Sequence, residues 1–185
     1  MNDRPQRDTP IRIRPIGPDD SERLRESHER LSPETRYRRF LAVKPHLTSA
    51  DVRYFVDIDG HDHVALVATL PDCDEEPIVG VARFIRIPEE PEVAEVAIVV
   101  ADALQGRGVG TELIARLAEE AVGRGVRRFR ATMLADNLPV HRLFESLAAG
   151  PVDRRRVGEI SEMEFPLPVG DRAPATAEGP AALAA

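Results

Sequence analysis

The pattern of apolar and polar positions predicts a domain built around its central third. Residues 93–100 form an apolar run made mostly of β-branched side chains, which is typical of a strand buried on both faces. A glycine-rich turn follows. Apolar residues then recur at helical spacing up to Ala121, with glutamates on the opposite side of the predicted helix. This stretch therefore predicts a strand, a tight turn and an amphipathic helix.

Similar patterns on either side predict the remaining elements. Alternating or continuous apolar runs predict strands at 11–14, 63–70, 78–87, 127–134, 152–157 and 160–167. Capping signals predict helices over 20–30 behind Asp19, from Ser32-Pro33, from Thr48 with Asp51, and after Asn137. The central strand, helix and next strand predict a right-handed parallel crossover. The other strands pair antiparallel, so the order predicts an α+β fold around a mixed sheet.

The ends of the chain differ from this pattern. Residues 1–10 have no apolar periodicity, and residues 169–185 are mostly Ala, Pro and Gly. We expect a flexible N-terminal tail, one domain over 11–168, and a disordered C-terminal tail. A chain of 185 residues suits a single domain with a sizeable core.

Composition narrows the possible partners. The net charge of −7 argues against general nucleic-acid binding, which needs a basic surface. We expect no membrane association and a cytoplasmic location, because no run approaches a membrane span and the N-terminus lacks an apolar signal segment. Cys73 is the only cysteine, and no further ligand accompanies His61 and His63, so we expect no disulfide and no metal.

The glycine-rich turn predicts an anion site. Gly106, Gly108 and Gly110 lie where the predicted helix begins. The first N–H groups of a helix have no internal partner, and the helix dipole places partial positive charge there. Glycines let the backbone approach an oxygen-rich ligand. The expected ligand is therefore a phosphate or pyrophosphate.

Two common phosphate loops fit this turn poorly. A P-loop ends in Gly-Lys-Ser/Thr, whereas Gly110-Thr111 follows Val109 without a lysine. A dinucleotide-binding turn needs G-x-G-x-x-G and an acidic residue after the next strand, and only Asp136 supports that reading.

The segment Gln105-Gly106-Arg107-Gly108-Val109-Gly110 instead resembles Q/R-x-x-G-x-G/A, the pyrophosphate loop of the GNAT superfamily of acyl-CoA N-acyltransferases. The resemblance extends over about 11–167. It implies a GNAT fold, a mixed and mostly antiparallel sheet flanked by helices, with a V-shaped splay between the two central parallel strands. It also implies acetyl-CoA as co-substrate.

The same resemblance implies the cofactor-binding residues. The pantetheine arm would pair with the backbone of Ala97, Ile98 and Val99, and the pyrophosphate would lie on the amides of 105–110. Asn137 matches an Asn that often bonds the cofactor arm. Its position is equally that of an N-cap for the following helix, and both roles can hold together.

Glu95 is the candidate general base. It interrupts an otherwise apolar strand, where a carboxylate is costly unless it is paired or used. An amine acceptor must lose a proton before it attacks a thioester, and a positioned carboxylate can take that proton. The alternative is a solvent-facing or edge glutamate in a salt bridge with Arg83 or Arg86.

The leaving-group step stays open. Many GNAT enzymes use a Tyr on the last helix as general acid, but the matching position here is Phe144, which cannot donate a proton. The thiolate would leave without a dedicated acid, or the acid lies elsewhere. We see no reason to prefer Ser146 over a surface serine, and we take His141 as a surface residue.

A further resemblance concerns the acceptor. Residues 31–40, 47–48, 64–68 and 94–100 are similar to the catalytic domain of bacterial Pat-type protein lysine acetyltransferases, whose catalytic glutamate matches Glu95. The acceptor implied is a protein lysine, often on an acyl-CoA synthetase. The resemblance does not extend to the cyclic-nucleotide-binding domain of larger members, so we do not expect their regulation to carry over. A small-molecule amine acceptor and a non-catalytic acyl-CoA-binding module remain as alternatives.

Overall fold

The computed structural model describes residues 10–71, 73 and 75–168. The predicted tails therefore lie outside the described residues, apart from Pro10. The strands within these residues are β1 (Arg12–Pro15), β2 (His63–Thr69), β3 (Ile78–Ile87), β4 (Glu90–Val100), β5 (Arg128–Leu134), β6 (Asp153–Val157) and β7 (Ile160–Pro166). The α-helices are α1 (Ser21–Arg30), α2 (Pro33–Phe40), α3 (Ser49–Val56), α4 (Val109–Gly123) and α5 (Leu138–Leu147).

The strands form one mixed sheet in the order β1-β2-β3-β4-β5-β7-β6. Its neighbours are antiparallel except for β4 and β5, which are the parallel pair of the crossover through α4. The β4–β5 pairing runs only from Val93↔Arg128 to Glu95↔Arg130, although β4 continues to Val100. The two strands separate beyond Glu95, which confirms the predicted fold and its splay.

The two faces of the sheet carry separate cores. On one face α4 packs Leu113 and Leu117 over the sheet with Phe84 and Phe129. On the other face α1 and α3 pack Leu24 and Val52 in a second core. Both cores exist because successive strand residues point to opposite faces, so the continuous apolar runs of β2 and β3 supply both.

Local capping chemistry explains where the early helices begin. Ser32 Oγ accepts the Thr35 N–H at 3.1 Å, and Thr48 and Asp51 form the predicted capping box. The prediction that Asp19 caps the first helix is wrong. Asp20 occupies the N-cap position after a short 3₁₀ turn, and its carboxylate bonds Arg14 and the Gly17 N–H instead of capping α1.

No helix within 10–71, 73 and 75–168 is long and apolar enough to cross a membrane.

Candidate functional site

A cavity of about 1440 Å³ opens where β4 and β5 separate. Its walls come from α2, from the end of β4 with the glycine loop, and from α5 with the residue before it. The lining side chains used below are Arg38, Arg39, Ile98, Val99, Gln105, Gly106, Arg107, Gly108, Gly110, Asn137, Arg142 and Ser146. The fold thus gathers most of the predicted cofactor residues around one space.

The end of β4 offers the cavity an unpaired strand edge. Beyond Glu95 the strand still pairs with β3, through Arg83↔Ala97 and Gly80↔Val100, but its β5 side has no strand partner. Ile98 and Val99 line the cavity, whereas Ala97 does not. A free strand edge lets an extended ligand with amide groups pair with backbone, which suits a pantetheine arm.

The glycine loop leaves room for a bulky anion. Gly106 and Gly108 have φ angles of +72° and +90°, and a Cβ on either would meet nothing within 4 Å. Within the described residues, the first helical bond of α4 runs from the Glu112 N–H to the Gly108 carbonyl, so the preceding amides have no helical partner. Val109 is the exception among the loop residues, because its side chain is buried in the core.

Gln105 and Asp102 fasten this loop to α2. Gln105 Nε2 donates to the Thr35 hydroxyl of α2 at 3.4 Å and to the Val100 carbonyl at the end of β4 at 3.1 Å. Asp102 accepts hydrogen bonds from the Ser32 N–H at 3.0 Å, and from the Ser32 and Thr35 hydroxyls at 2.7 Å each. The sequence analysis missed Asp102 and Thr35, because their partners lie about 70 residues away in the chain.

Asn137 is buried and lines the cavity just before α5. Its backbone carbonyl accepts the Val140 and His141 N–H groups, but its side chain makes no capping hydrogen bond. The capping alternative therefore lacks its defining bond, and the amide is available to a ligand.

Glu95 lies at the last paired position of β4 and β5. The carboxylate is exposed, so the sequence argument from burial in an apolar strand is wrong. Within the described residues it forms no ion pair: Arg86 bonds Asp62 at 2.7 Å, and Arg83 bonds His63 at 3.1 Å. Glu95 therefore does not form the salt bridge with Arg83 or Arg86 that was its alternative role. Its side chain is accessible beside the splay.

Two arginines on the α1–α3 side of the sheet were not predicted as site residues, although the sequence named Arg83 as a possible partner of Glu95. Arg39 lines the cavity, and Arg83 is buried beneath α3 with its Cζ 4.3 Å from the Phe55 ring centroid. Burial lowers the pKa of Arg39 to about 10. Burial and the positive charge of Arg39 together lower the pKa of Arg83 to about 9. Both remain charged at neutral pH.

The described helix α5 contains no tyrosine that could donate a proton to the leaving thiolate. Phe144 is buried and stacks on Phe165 with ring centroids 5.4 Å apart. The Ser146 hydroxyl lines the cavity and donates to the Leu143 carbonyl at 2.7 Å. The expectation of a surface His141 is not met, since that side chain is half-buried with Nδ1 3.1 Å from Met163 Sδ.

Metal-ligating side chains are not clustered. Within 10–71, 73 and 75–168 no group of three or more His, Cys, Asp or Glu residues could hold a metal ion. His61 bonds Asp62 at 2.8 Å in an exposed turn.

A splayed parallel pair with a free strand edge beside an open helix N-terminus suits an extended ligand that ends in phosphates, as acyl-CoA does. The chain belongs to the Acetyltransferase (GNAT) family, which it matches over residues 22–149.

Two curated relatives are similar over most of the chain. Acetyltransferase Pat of Mycolicibacterium smegmatis is 38% identical over 138 residues, which are 74% of this chain and 40% of that protein. Acetyltransferase PA5475 of Pseudomonas aeruginosa is 34% identical over 127 residues, 69% of this chain and 68% of that protein. The matched part of this chain thus corresponds to less than half the length of the mycobacterial relative.

Solved structures agree with the fold. The GNAT domain of S. lividans PAT superposes with a TM-score of 0.76 at 37% identity, covering 85% of this chain and 90% of that one. The acetyltransferase yncA of Salmonella typhimurium, solved with its cofactor acetyl-CoA, has a TM-score of 0.64 at 18% identity, covering 90% and 98%. The latter likeness shows the fold alone.

Proposed function

We propose that this enzyme transfers the acetyl group of acetyl-CoA to the side-chain amine of a protein lysine, with Glu95 as general base. The observation that carries the proposal is the position of Glu95. It is the last β4 residue paired with β5, and its exposed carboxylate has no ion-pair partner among the described residues.

The co-substrate would be held by the residues that surround the splay. The free edge of Ala97, Ile98 and Val99 would bond the pantetheine arm, and the amides of Gln105, Gly106, Arg107, Gly108, Val109 and Gly110 would bind the pyrophosphate. The Asn137 amide would bond the arm from the opposite wall. Arg142, which the sequence analysis missed, adds positive charge to this wall for the CoA phosphates.

Glu95 would make the acceptor nucleophilic. A lysine amine has a pKa near 10.4, so little of it is free at neutral pH. Glu95 takes the ammonium proton, directly or through water. The amine nitrogen then attacks the thioester carbonyl carbon and the C–N bond forms. The C–S bond breaks with the electron pair leaving on sulfur, and the nitrogen loses its second proton to solvent to give the neutral amide. Phe144 donates no proton to that thiolate, so CoA leaves without an acid at this position.

The acceptor is inferred from the Pat-type resemblance of the sequence. The similarity to M. smegmatis Pat and to the S. lividans PAT domain supports it. An acyl-CoA synthetase is the protein we propose as the first target to try.

The test measures free CoA released from acetyl-CoA in the presence of purified acyl-CoA synthetases or of small amines. We expect release with the protein panel, and we expect Glu95→Gln to lower kcat about 10²–10⁴-fold while acetyl-CoA binding is retained. Glu92→Gln is the matched control, because Glu92 is also exposed on β4 but lies before the pairing with β5.

Each outcome separates one reading from the others. Equal turnover by Glu95→Gln removes this residue from the mechanism. Release only with small amines makes the enzyme a small-molecule N-acetyltransferase. Binding of acetyl-CoA with no release in either panel supports a non-catalytic acyl-CoA-binding module.

A further inference from the structure

The α1–α3 face of the sheet carries positive charge that no acidic side chain among the described residues neutralises. Arg83 is 5% exposed, and Arg39 is half-buried in the cavity wall. Neither arginine takes part in an ion pair within the described residues, although other arginines of the chain do, such as Arg86 with Asp62. Burying a charge without a partner costs several kcal/mol, so this arrangement is expensive for folding alone.

The hydrogen bonds of Arg83 are also incomplete. One guanidinium nitrogen, Nη1, donates to His63 Nε2 at 3.1 Å, and Nη2 reaches the Phe55 carbonyl only at 3.5 Å. The buried Nε–H has no hydrogen-bond partner in the described structure. A buried donor without an acceptor is a second cost to folding.

The strand register places this charge close to the site of transfer. Arg83 pairs with Ala97, the second β4 residue beyond Glu95, and successive residues of a strand alternate between faces. Arg83, Glu95 and Ala97 therefore share the α1–α3 face. Arg39 reaches the same region from α2, which lies against β4 and lines the cavity with Val99.

We infer that Arg39 and Arg83 form a carboxylate-binding subsite beside the point of acyl transfer. Arg39 meets the ligand at the cavity wall, and Arg83 supports it from behind with charge. A guanidinium presents its donors in a planar fork that matches a carboxylate, which makes this the anion the pair suits best. This inference rests on the proposed function, since it places the subsite next to the reacting groups.

The carboxylate can come from either partner in the reaction. It is either the far end of a dicarboxylic acyl group on CoA, or an acidic group of the acceptor near its amine. The first source is tested by titration calorimetry with succinyl-CoA and butyryl-CoA, whose acyl chains are equally long and differ in a terminal carboxylate. The second source is tested by fluorescence anisotropy with labelled lysine peptides that carry Glu or Gln beside the lysine, in the presence of CoA.

We expect at least tenfold tighter binding of the carboxylate-bearing member in one of the two pairs. Arg39→Gln should bring that ratio close to one. Arg38→Gln is the matched control, because Arg38 is the neighbouring cavity residue on α2 and is already paired with Glu34 at 2.7 Å. The control should leave the ratio unchanged.

Arg83→Met tests the supporting charge, and its thermal unfolding shows whether it folds. If it does not fold, Arg39→Gln alone decides the proposal. Ratios near one in both pairs, or a ratio that survives Arg39→Gln, overturn the subsite. Both arms measure binding without turnover, so a protein that discriminates the carboxylate but transfers no acyl group refutes the proposed function and not this inference.

Discussion

At the scale of single residues, the sequence predicts the turn at Gly108 correctly and the burial of Glu95 wrongly. Gly108 was predicted as part of an anion loop, and its φ of +90° explains why glycine stands there. A Cβ would meet nothing within 4 Å, so the requirement is a backbone angle and not crowding. Glu95 shows the opposite case. Its neighbours predicted burial, but its side chain is exposed at the last paired position of β4 and β5.

Asn137→Ala separates the two roles that the sequence left open for this residue. The side chain makes no cap bond, so we expect the midpoint of thermal unfolding to stay unchanged. Loss of a hydrogen bond to the cofactor arm, worth ~1 kcal/mol, should raise the Kd for acetyl-CoA about fivefold. Titration calorimetry and a thermal melt on the same sample measure both. A lower melting midpoint with an unchanged Kd would instead show that Asn137 serves α5.

At the level of elements, Asp20 joins β1 to α1. Its buried carboxylate accepts two bonds of 2.7 Å from Arg14 and one of 3.0 Å from the Gly17 N–H. Burial alone would raise the pKa of Asp20, but the Arg14 and Gly17 bonds outweigh it and hold that pKa below its ordinary value. The start of α1 therefore depends on an ion pair with a strand, and not on the local cap expected from Asp19.

Asp20→Asn should destabilise the domain by about 1.5–3 kcal/mol, because it weakens a charge-assisted pair in which Asp20 is buried and Arg14 is partly exposed. The free energy of unfolding from urea denaturation measures the loss. Asp19→Asn is the control, since Asp19 is exposed and should change stability little. Equal losses in the two variants would mean that helix capping, and not the Arg14 pair, positions α1.

The junction between α2 and the glycine loop is a second feature that depends on contacts between elements. The sequence predicted Ser32 as a cap, and the structure confirms that cap. The same hydroxyl also donates to Asp102, after β4. A pattern read along the chain finds a bond between Ser32 and Thr35, but it contains no signal for a partner that only folding brings close.

Across the whole molecule, two histidines make stability depend on pH. Burial lowers the pKa of His28 below its usual 6.5, and burial with the charge of Arg83 lowers the pKa of His63 to about 4. Each therefore binds a proton more readily in the unfolded chain. By linkage, their contribution is fully present above pH 6.5 and is lost as the pH falls toward 4.

We expect the free energy of unfolding to be flat near pH 7 and to fall steadily from pH 6.5 to 4. Urea denaturation at several pH values measures this profile. His28→Gln should reduce the slope and leave the part that His63 contributes, because Gln does not titrate and its amide can still donate to the Lys44 carbonyl that His28 bonds at 2.9 Å. His46→Gln, at an exposed position, should leave the slope as it is. A profile unaffected by His28→Gln would remove His28 as the cause.

The sequence by itself determined the elements, their order and the glycine loop, because these follow from apolar periodicity and from backbone preferences within a few residues. Motif resemblance added the family and the predicted splay, which the structure and the comparisons confirm. The assignments of Glu95 and Asn137 to chemistry stay predictions. Only the tertiary structure decided which charges meet. Contacts between distant elements form the Asp20–Arg14 pair and the Asp102 junction. The same packing leaves Arg39 and Arg83 without an ion pair among the described residues. Electrostatic energy depends on distance and burial in space, not on spacing along the chain.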